Sequence, residues 1–332
     1  MRLIQAQQLR VTTIGGGTGT YPVVAALRTL PLDISCIVAV SDSGGSSARL
    51  KDEFGFPPVG DLRQSLTALA DPKTQALLQQ LLLYRFEKGT GLRGHSLGNL
   101  ILTALQDMTG STTTALADAA QLFQFNGRVI PVTEDTIDLE VHYIDGSVRL
   151  GEHELDDPKA PTTPIKRIRL VPKPKTSTTA LKTIALSDHI IIGPGDLYAS
   201  LEAVLVAPRV AATLRKGTGN VTYIINIMTR RSQTAHMSAA DHVQEIEKVI
   251  GRPLTNIIIN TAKPTAVQLK PYRLVGEAPV IDDLGSDKRV VRAPLLTQTK
   301  TAPQGADTVP RSVLRHDSQR LRQILKKIVT KK

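Results

Sequence analysis

The 332-residue chain has no tryptophan, one cysteine and only 3% aromatic residues. So few aromatics leave a mostly aliphatic core and argue against a site that stacks successive unpaired bases, which rests on aromatic platforms. The lone thiol, Cys36, excludes an intrachain disulfide and a thiolate metal cluster. Its place inside the apolar run 34–40 reads as a buried structural thiol. No apolar run approaches the length of a membrane span, and Met1-Arg2-Leu3-Ile4 leads almost at once into a first strand, without the apolar region of a secretory signal. A soluble, cytoplasmic protein is expected. Zinc-finger, RRM and KH patterns are missing too. The formal net charge of +11 attracts polyanions, but many of the basic residues fall in 159–182 and in the tail 311–332. That distribution reads as a solvated basic surface drawing in small phosphorylated ligands, and specific nucleic-acid binding is not expected.

What the chain does have is a set of small-residue loops. The first follows the β-rich run Val11 to Ile14 as Gly15-Gly16-Gly17-Thr18-Gly19 and passes into the helical pattern Tyr21 to Leu30. Strand, glycine turn, helix is the order of a phosphate cradle: glycines let the backbone come close to an anion, and the first helical N–H groups point at it. The run lacks the lysine and spacing of a P-loop and is not G-x-G-x-x-G, so alone it also describes a tight turn. A second buried-strand pattern, 34–40, ends in Asp42-Ser43-Gly44-Gly45-Ser46-Ser47, followed by Arg49. Asp42, Ser46, Ser47 and Arg49 suit a phosphate site by their donors and charge. Asp61 and Arg63 follow Pro57-Pro58-Val59-Gly60 at a helix start. They suit a capped helix with a solvated charge, or, with Asp42, carboxylates that hold Mg2+ against a diphosphate.

Helical patterns follow at 72–86, 96–108 and 112–123, and Ser96 as an N-cap groups His95, Ser96 and Asn99 at one helix start. A lone histidine at such a place is more often structural. Residues 126–175 change texture to short strands with an Asp145-Gly146 hairpin turn, which predicts an inserted β-rich subdomain. Alternation resumes with a helix at 178–186 and a strand at 189–192. Gly193-Pro194-Gly195-Asp196 is a third strand-to-loop-to-helix transition. A strand at 221–227 carries Asn226, whose paired donor and acceptor suit a base or a sugar hydroxyl. A helix at 238–250, a strand at 254–260, an irregular stretch at 276–305 and a basic helix at 312–329, opened by Arg315-His316-Asp317, complete the pattern. The expected fold is one α/β domain over 1–332: a Rossmann-like, doubly wound, mostly parallel sheet in three layers, with the insertion at 126–175 and a basic C-terminal helix within 306–332.

In this order the loops resemble the YvcK/CofD-like family, and within it the YvcK, gluconeogenesis-factor branch. The residues that carry the resemblance are 15–19, 42–47 with Arg49-Leu50, Pro57-Pro58-Val59-Gly60-Asp61-Leu62-Arg63, Gly94-His95-Ser96-Leu97-Gly98-Asn99, Gly193 to Tyr198, Asn226 to Thr229, Asp241-His242 and Arg315-His316-Asp317. They span nearly the whole chain. The resemblance implies a cytoplasmic protein that binds a nucleotide sugar of the UDP-N-acetylglucosamine type and regulates cell-wall synthesis, cell shape and growth on gluconeogenic carbon. It also implies a homodimer and a cell-wall enzyme or kinase as partner. The sister branch, 2-phospho-L-lactate transferase, implies the alternative of an enzyme with a nucleotide-activated donor and a divalent metal. Ser41 stands where an acidic residue commonly precedes Asp42, Ala48 replaces a glycine, and Gln64-Ser65 replaces an Asn-Cys pair. The missing carboxylate counts against metal binding at that loop. Ser318 occupies the place of a phosphorylatable threonine in relatives.

Overall fold

The computed structural model describes residues 8–157, 159–297 and 314–330. A seven-stranded parallel sheet is built from β1 (Leu9–Gly15), β2 (Leu32–Val38), β3 (Arg128–Pro131), β7 (His189–Ile192), β8 (Asn220–Ile224), β9 (Asn256–Asn260) and β10 (Val290–Ala293). Between β3 and β7 in sequence, β4 (Asp138–Tyr143), β5 (Val148–Leu150) and β6 (Ile165–Val171) form a separate antiparallel sheet in the order β5-β4-β6. Strand order in the main sheet is β3-β2-β1-β7-β8-β9-β10. The chain therefore winds outward from β1 in one direction, returns to the middle, and winds outward in the other. Right-handed crossovers put the helices of the two halves on opposite faces, and the reversal between β1 and β7 opens a crevice at the carboxyl ends of those two strands.

Apolar β-branched runs make these strands. Ile34, Cys36, Ile37 and Val38 on β2, Ile190 to Ile192 on β7 and Ile257 to Ile259 on β9 are all buried, as a sheet covered on both faces requires. The helices are α1 (Gly17–Leu27), α2 (Gly45–Phe54), α3 (Gly60–Leu69), α4 (Ala76–Leu83), α5 (Leu97–Thr109), α6 (Thr112–Leu122) and α7 (Thr178–Leu186). A π-helical turn, Leu197–Glu202, runs into α8 (Ala203–Leu205), followed by α9 (Val210–Lys216), α10 (Ala239–Ile250), α11 (Ala266–Leu274) and α12 (Ser318–Thr330). α1 packs between α3 and α12, while α9 packs against α7 and α10. Among the described residues no single helix is long and apolar enough to cross a membrane.

Three expectations need correction. Arg128–Pro131 pairs parallel with β2, so the stretch 126–175 is divided: its first strand belongs to the main sheet and only 138–171 forms the separate one. The separate sheet also shares its core with the main body, because Leu139, Val141, Tyr143, Ile168 and Leu170 join the same apolar cluster as β1 and β2. The stretch 276–305 is not wholly irregular, since β10 adds an edge strand there, and α11 was not anticipated. Residues 298–313, where the start of the expected basic helix falls, lie outside the described residues; the helix described is α12.

The crevice depends on one very close backbone approach. A Cβ at Gly19 would lie 2.2 Å from the Pro194 carbonyl oxygen and 2.7 Å from Gly195 Cα, so the start of α1 touches the loop after β7 with no room for a side chain. Gly19→Ala must push backbone against backbone, and we expect a loss of about 1–3 kcal/mol in stability, the range of an overpacked site, read as a lower urea midpoint at unchanged m-value.

Candidate functional site

A cavity of about 390 Å3 occupies the crevice, with Gly17, Thr18 and Gly19 on one wall and Gly195 and Asp196 on another. Ser46 and Ser47 come from the start of α2, Asp42 from the loop before it, and Asp61 and Arg63 from the start of α3. Asn99, Asn226 and Arg315 complete the expected residues that line it. Two of these helices start after a glycine. α1 begins after Gly16 and α2 after Gly44, and neither has a side-chain cap on its first N–H groups. α6, α7, α10 and α11 are capped by the hydroxyls of Ser111, Ser177, Ser238 and Thr265, whereas α3, α4, α5 and α9 also lack a side-chain cap. Both α1 and α2 turn their N-terminal, positive dipole ends toward the cavity, which suits an anion. The two starts are bound closely to α3 as well. A Cβ at Gly60 would lie 2.6 Å from Ser47 Oγ and 2.8 Å from Asp42 Oδ2.

Several residues expected to touch a ligand are committed to the protein instead. The Asn226 amide is used at both ends by one residue: its Oδ1 accepts from Gly195 N–H at 2.8 Å and its Nδ2 donates to Gly195 carbonyl at 2.7 Å. It therefore clamps the β7 loop to the end of β8 rather than reading a base. Asn99 is held by Arg63 Nε, which donates to its Oδ1 at 2.6 Å. Arg63 is 3% exposed and also donates to the Leu82 carbonyl, so it is not a solvated helix charge. Arg49 turns outward to the Arg93 carbonyl at 3.3 Å and does not line the cavity, nor do Gly15, Gly16, Gly193 or His95. Gly15 and Gly16 form the turn behind α1, Gly193 is buried behind the loop, and His95 sits under Ser46 at 3.0 Å. The third loop is no phosphate cradle at its helix start, because Gln233 Oε1 accepts from the N–H groups of Tyr198 and Ala199.

Other lining residues were not anticipated. Glu152, His153 and Asp156 come from the turn after β5, and Arg230, Tyr272, Glu277 and His316 from elsewhere in the carboxyl half. Arg230 joins three elements through Asp156 at 2.7 Å, Asp196 at 3.3 Å and Glu277 at 3.5 Å. Across the cavity, Ser43 Oγ accepts from His153 N–H at 3.1 Å, so the same turn is fastened on both sides. Burial and then the neighbouring Asp42, Asp61 and Asp196 hold the Glu152 carboxyl well above the ordinary range. Burial likewise raises Asp156, against the pull of Arg230. The only forewarning in sequence was that Glu152 and Asp156 follow a hairpin inserted next to the loops.

A divalent cation needs hard oxygen donors. Among the described residues no three His, Cys, Asp or Glu side chains are grouped to hold a metal ion alone. Mg2+ commonly takes one or two carboxylates and completes its shell with ligand phosphate and water, and Asp42 and Asp61, beside the uncapped helix starts, fit that lesser demand.

Fold and cavity together define a Rossmann-like α/β protein with its binding crevice at the strand-order reversal. The chain belongs to the CofD family: residues 11–298 match the family described as 2-phospho-L-lactate transferase CofD. It is similar to the gluconeogenesis factor of Bacillus subtilis, with 33% identity over 96% of this chain and 98% of the relative. The gluconeogenesis factor of Halalkalibacterium halodurans is 37% identical over 82% of this chain and 84% of its own. A crystal structure of a UPF0052 family member from Bacillus halodurans superposes with a TM-score of 0.85 at 32% identity, covering 97% of this chain and 99% of that one.

The raised Glu152 carboxyl has a signed consequence for stability. Its folded pKa lies above its unfolded one, so the stability it contributes is complete below the ordinary carboxyl range, about pH 4, and is lost as pH rises through the folded value. Glu152→Gln should therefore unfold at higher urea than the wild type at pH 7 without added divalent cation, with the gap closing toward pH 4.

Proposed function

We propose that the cavity binds a nucleotide sugar of the UDP-N-acetylglucosamine type, and that the protein regulates cell-wall synthesis and cell shape during gluconeogenic growth rather than catalysing a reaction. The observation that carries this reading is the pair of uncapped, glycine-led helix starts, α1 and α2, facing one cavity at the strand-order reversal. In this arrangement the diphosphate sits at those starts, with Arg315 offsetting its charge and Mg2+, when bound, held by Asp42 and Asp61. The apolar side chains of Ile227, Met228 and Leu314, with Tyr272, gather at one part of the cavity and suit a pyrimidine. Asp196 and Glu152 offer acceptors to sugar hydroxyls. The name gluconeogenesis factor, borne by relatives of similar length, supports the regulatory half of the reading. A cytoplasmic protein that meets a cell-wall enzyme or a kinase, and a homodimer, belong to the same proposal.

The second reading is a transferase acting on a nucleotide-activated small acid. It is favoured by the carboxylates of Asp42, Asp61 and Glu152, close enough to act on one another's charge. Turnover of a guanylylated phospholactate with magnesium and a deazaflavin acceptor would establish it.

Equilibrium binding tests the first reading. UDP-N-acetylglucosamine should bind the wild type, and Arg315→Ala should bind about tenfold to a hundredfold more weakly, the span of one lost hydrogen bond to a charged group. Absence of detectable binding by the folded wild type at millimolar ligand overturns it.

A further inference from the structure

Four buried side chains beneath the start of α2 form a hydrogen-bonded chain in which Arg63 fixes the orientation of the Asn99 amide. Arg63 can only donate, so the Asn99 amide gives its oxygen to Arg63 Nε at 2.6 Å and turns its NH2 group to Ser46 Oγ, at the longer distance of 3.5 Å. Ser46 Oγ lies 3.0 Å from His95 Nδ1. Asn99 takes one lone pair of the serine oxygen, and the hydroxyl proton can go to Nδ1 when the ring is protonated on Nε2 alone. Nδ1 is then the acceptor, and the neutral ring carries its own proton on Nε2. Arg63, Asn99, Ser46 and His95 are each less than a tenth exposed, so water does not compete for these bonds freely. Ser46 is also the second residue of α2 and lines the cavity at the uncapped helix start.

We propose that His95 is a positioning residue that decides whether Ser46 offers its hydroxyl proton to an anion in the cavity, so that anion binding is accompanied by uptake of one proton at His95. While the ring is neutral, the Ser46 O–H is engaged with Nδ1 and the serine turns only lone pairs toward the cavity. When a proton from solvent binds Nδ1, the ring becomes the donor and Ser46 Oγ accepts from both His95 and Asn99. The serine proton then rotates toward the cavity and adds a donor to the backbone N–H groups of α2. No covalent bond other than the new N–H changes. The charged groups around the ring are Arg49 and Glu53 of α2 and Arg85 before α5. Burial and then Arg49 hold the ring toward its neutral form, with Arg85 acting the same way and Glu53 opposing. An anion in the cradle reverses that balance, raising the affinity of His95 for its proton. Ligand affinity therefore rises as pH falls from the bound-state pKa toward the lower free-state one and levels off below it.

The proposal rests on the anion cradle of the nucleotide-sugar reading, and its test separates the two. UDP-N-acetylglucosamine carries phosphodiester charges that are constant across about pH 5–8, where histidine titrates. By calorimetry, the wild type should bind it up to about tenfold more tightly per unit fall in pH, with net proton uptake seen as a dependence of the binding heat on the buffer's ionisation heat. His95→Asn keeps an acceptor near the place of Nδ1 but cannot take up the proton. It should bind at the weaker, high-pH affinity throughout, with no uptake at this site, and retention of the wild-type slope would assign the linkage to Glu152 and Asp156 and overturn the proposal. A measurement without nucleotide uses NMR titration of the His95 ring with and without sulfate. Sulfate should raise the His95 pKa in the wild type and much less in Ser46→Ala, provided both proteins keep the wild-type backbone spectrum; equal shifts, or none, overturn the proposal. If the sulfate effect appears and UDP-N-acetylglucosamine does not bind, the nucleotide-sugar reading alone falls.

Discussion

An α-helix begins with N–H groups that have no partner inside the helix, and the cavity is built where two helices begin after glycine. α1 and α2 start after glycines with no side-chain cap, although this chain caps four of its other helices with serine or threonine. Glycine at the N-cap in place of Ser or Thr costs only about a few tenths of a kcal/mol. Here the two N-termini are directed at one cavity. Their convergence comes from topology, because the reversal of strand order between β1 and β7 is where neighbouring crossovers part and leave a gap at the sheet edge. The contact of Gly19 with Pro194 and Gly195 then holds the two halves of the sheet together at that gap.

Around the cradle, residue type misleads about role. Asparagine and arginine in small-residue loops look like ligand readers, yet Asn226 is used at both ends of its amide by Gly195, and Asn99 serves Arg63 and Ser46. Burial explains why. A polar side chain inside the protein must be paired, and a loop that carries a ligand needs its own backbone groups satisfied so that it does not collapse when empty. Gln233 does this for the helix start after β7. These residues shape the site as strongly as any that touch a ligand, but through the loops they hold.

Legibility in the sequence followed the same division. The parallel sheet was readable because buried strands are continuous apolar runs, and the loops were readable because each follows such a run. α11 was hidden by Pro271 within a polar stretch, and β10 by being a four-residue edge strand that is only half covered. Glu152 and Asp156 were missed because nothing local in an inserted hairpin says which way it folds back. Their place is set by tertiary ties, Ser43 to His153 and Arg230 to Asp156. Arg49 was misassigned for a related reason: proximity to the cradle in sequence does not fix which side of α2 a side chain leaves from, and Arg49 leaves toward Arg93.

The charge of the chain bears on the site less than its size suggests. A net +11 could be expected to fill the cavity with lysine and arginine, but Arg230 is cancelled by Asp156, Asp196 and Glu277, and Arg63 is buried in a hydrogen-bonded chain. The carboxylates of Asp42, Asp61 and Glu152 line the cavity together with Arg85 and Arg315, and Asp42 and Asp61 act on the charge of Glu152. On the proposed reading, an anionic ligand is favoured where its charge meets the helix starts and Arg315, or where a divalent cation or a proton comes with it. On that reading the mixed lining makes affinity conditional on those companions, whereas a pocket of lysines would hold any polyanion. Selectivity for one phosphorylated ligand over the many in a cell follows more readily from the conditional arrangement, since a competitor must satisfy the carboxylates as well as the cradle.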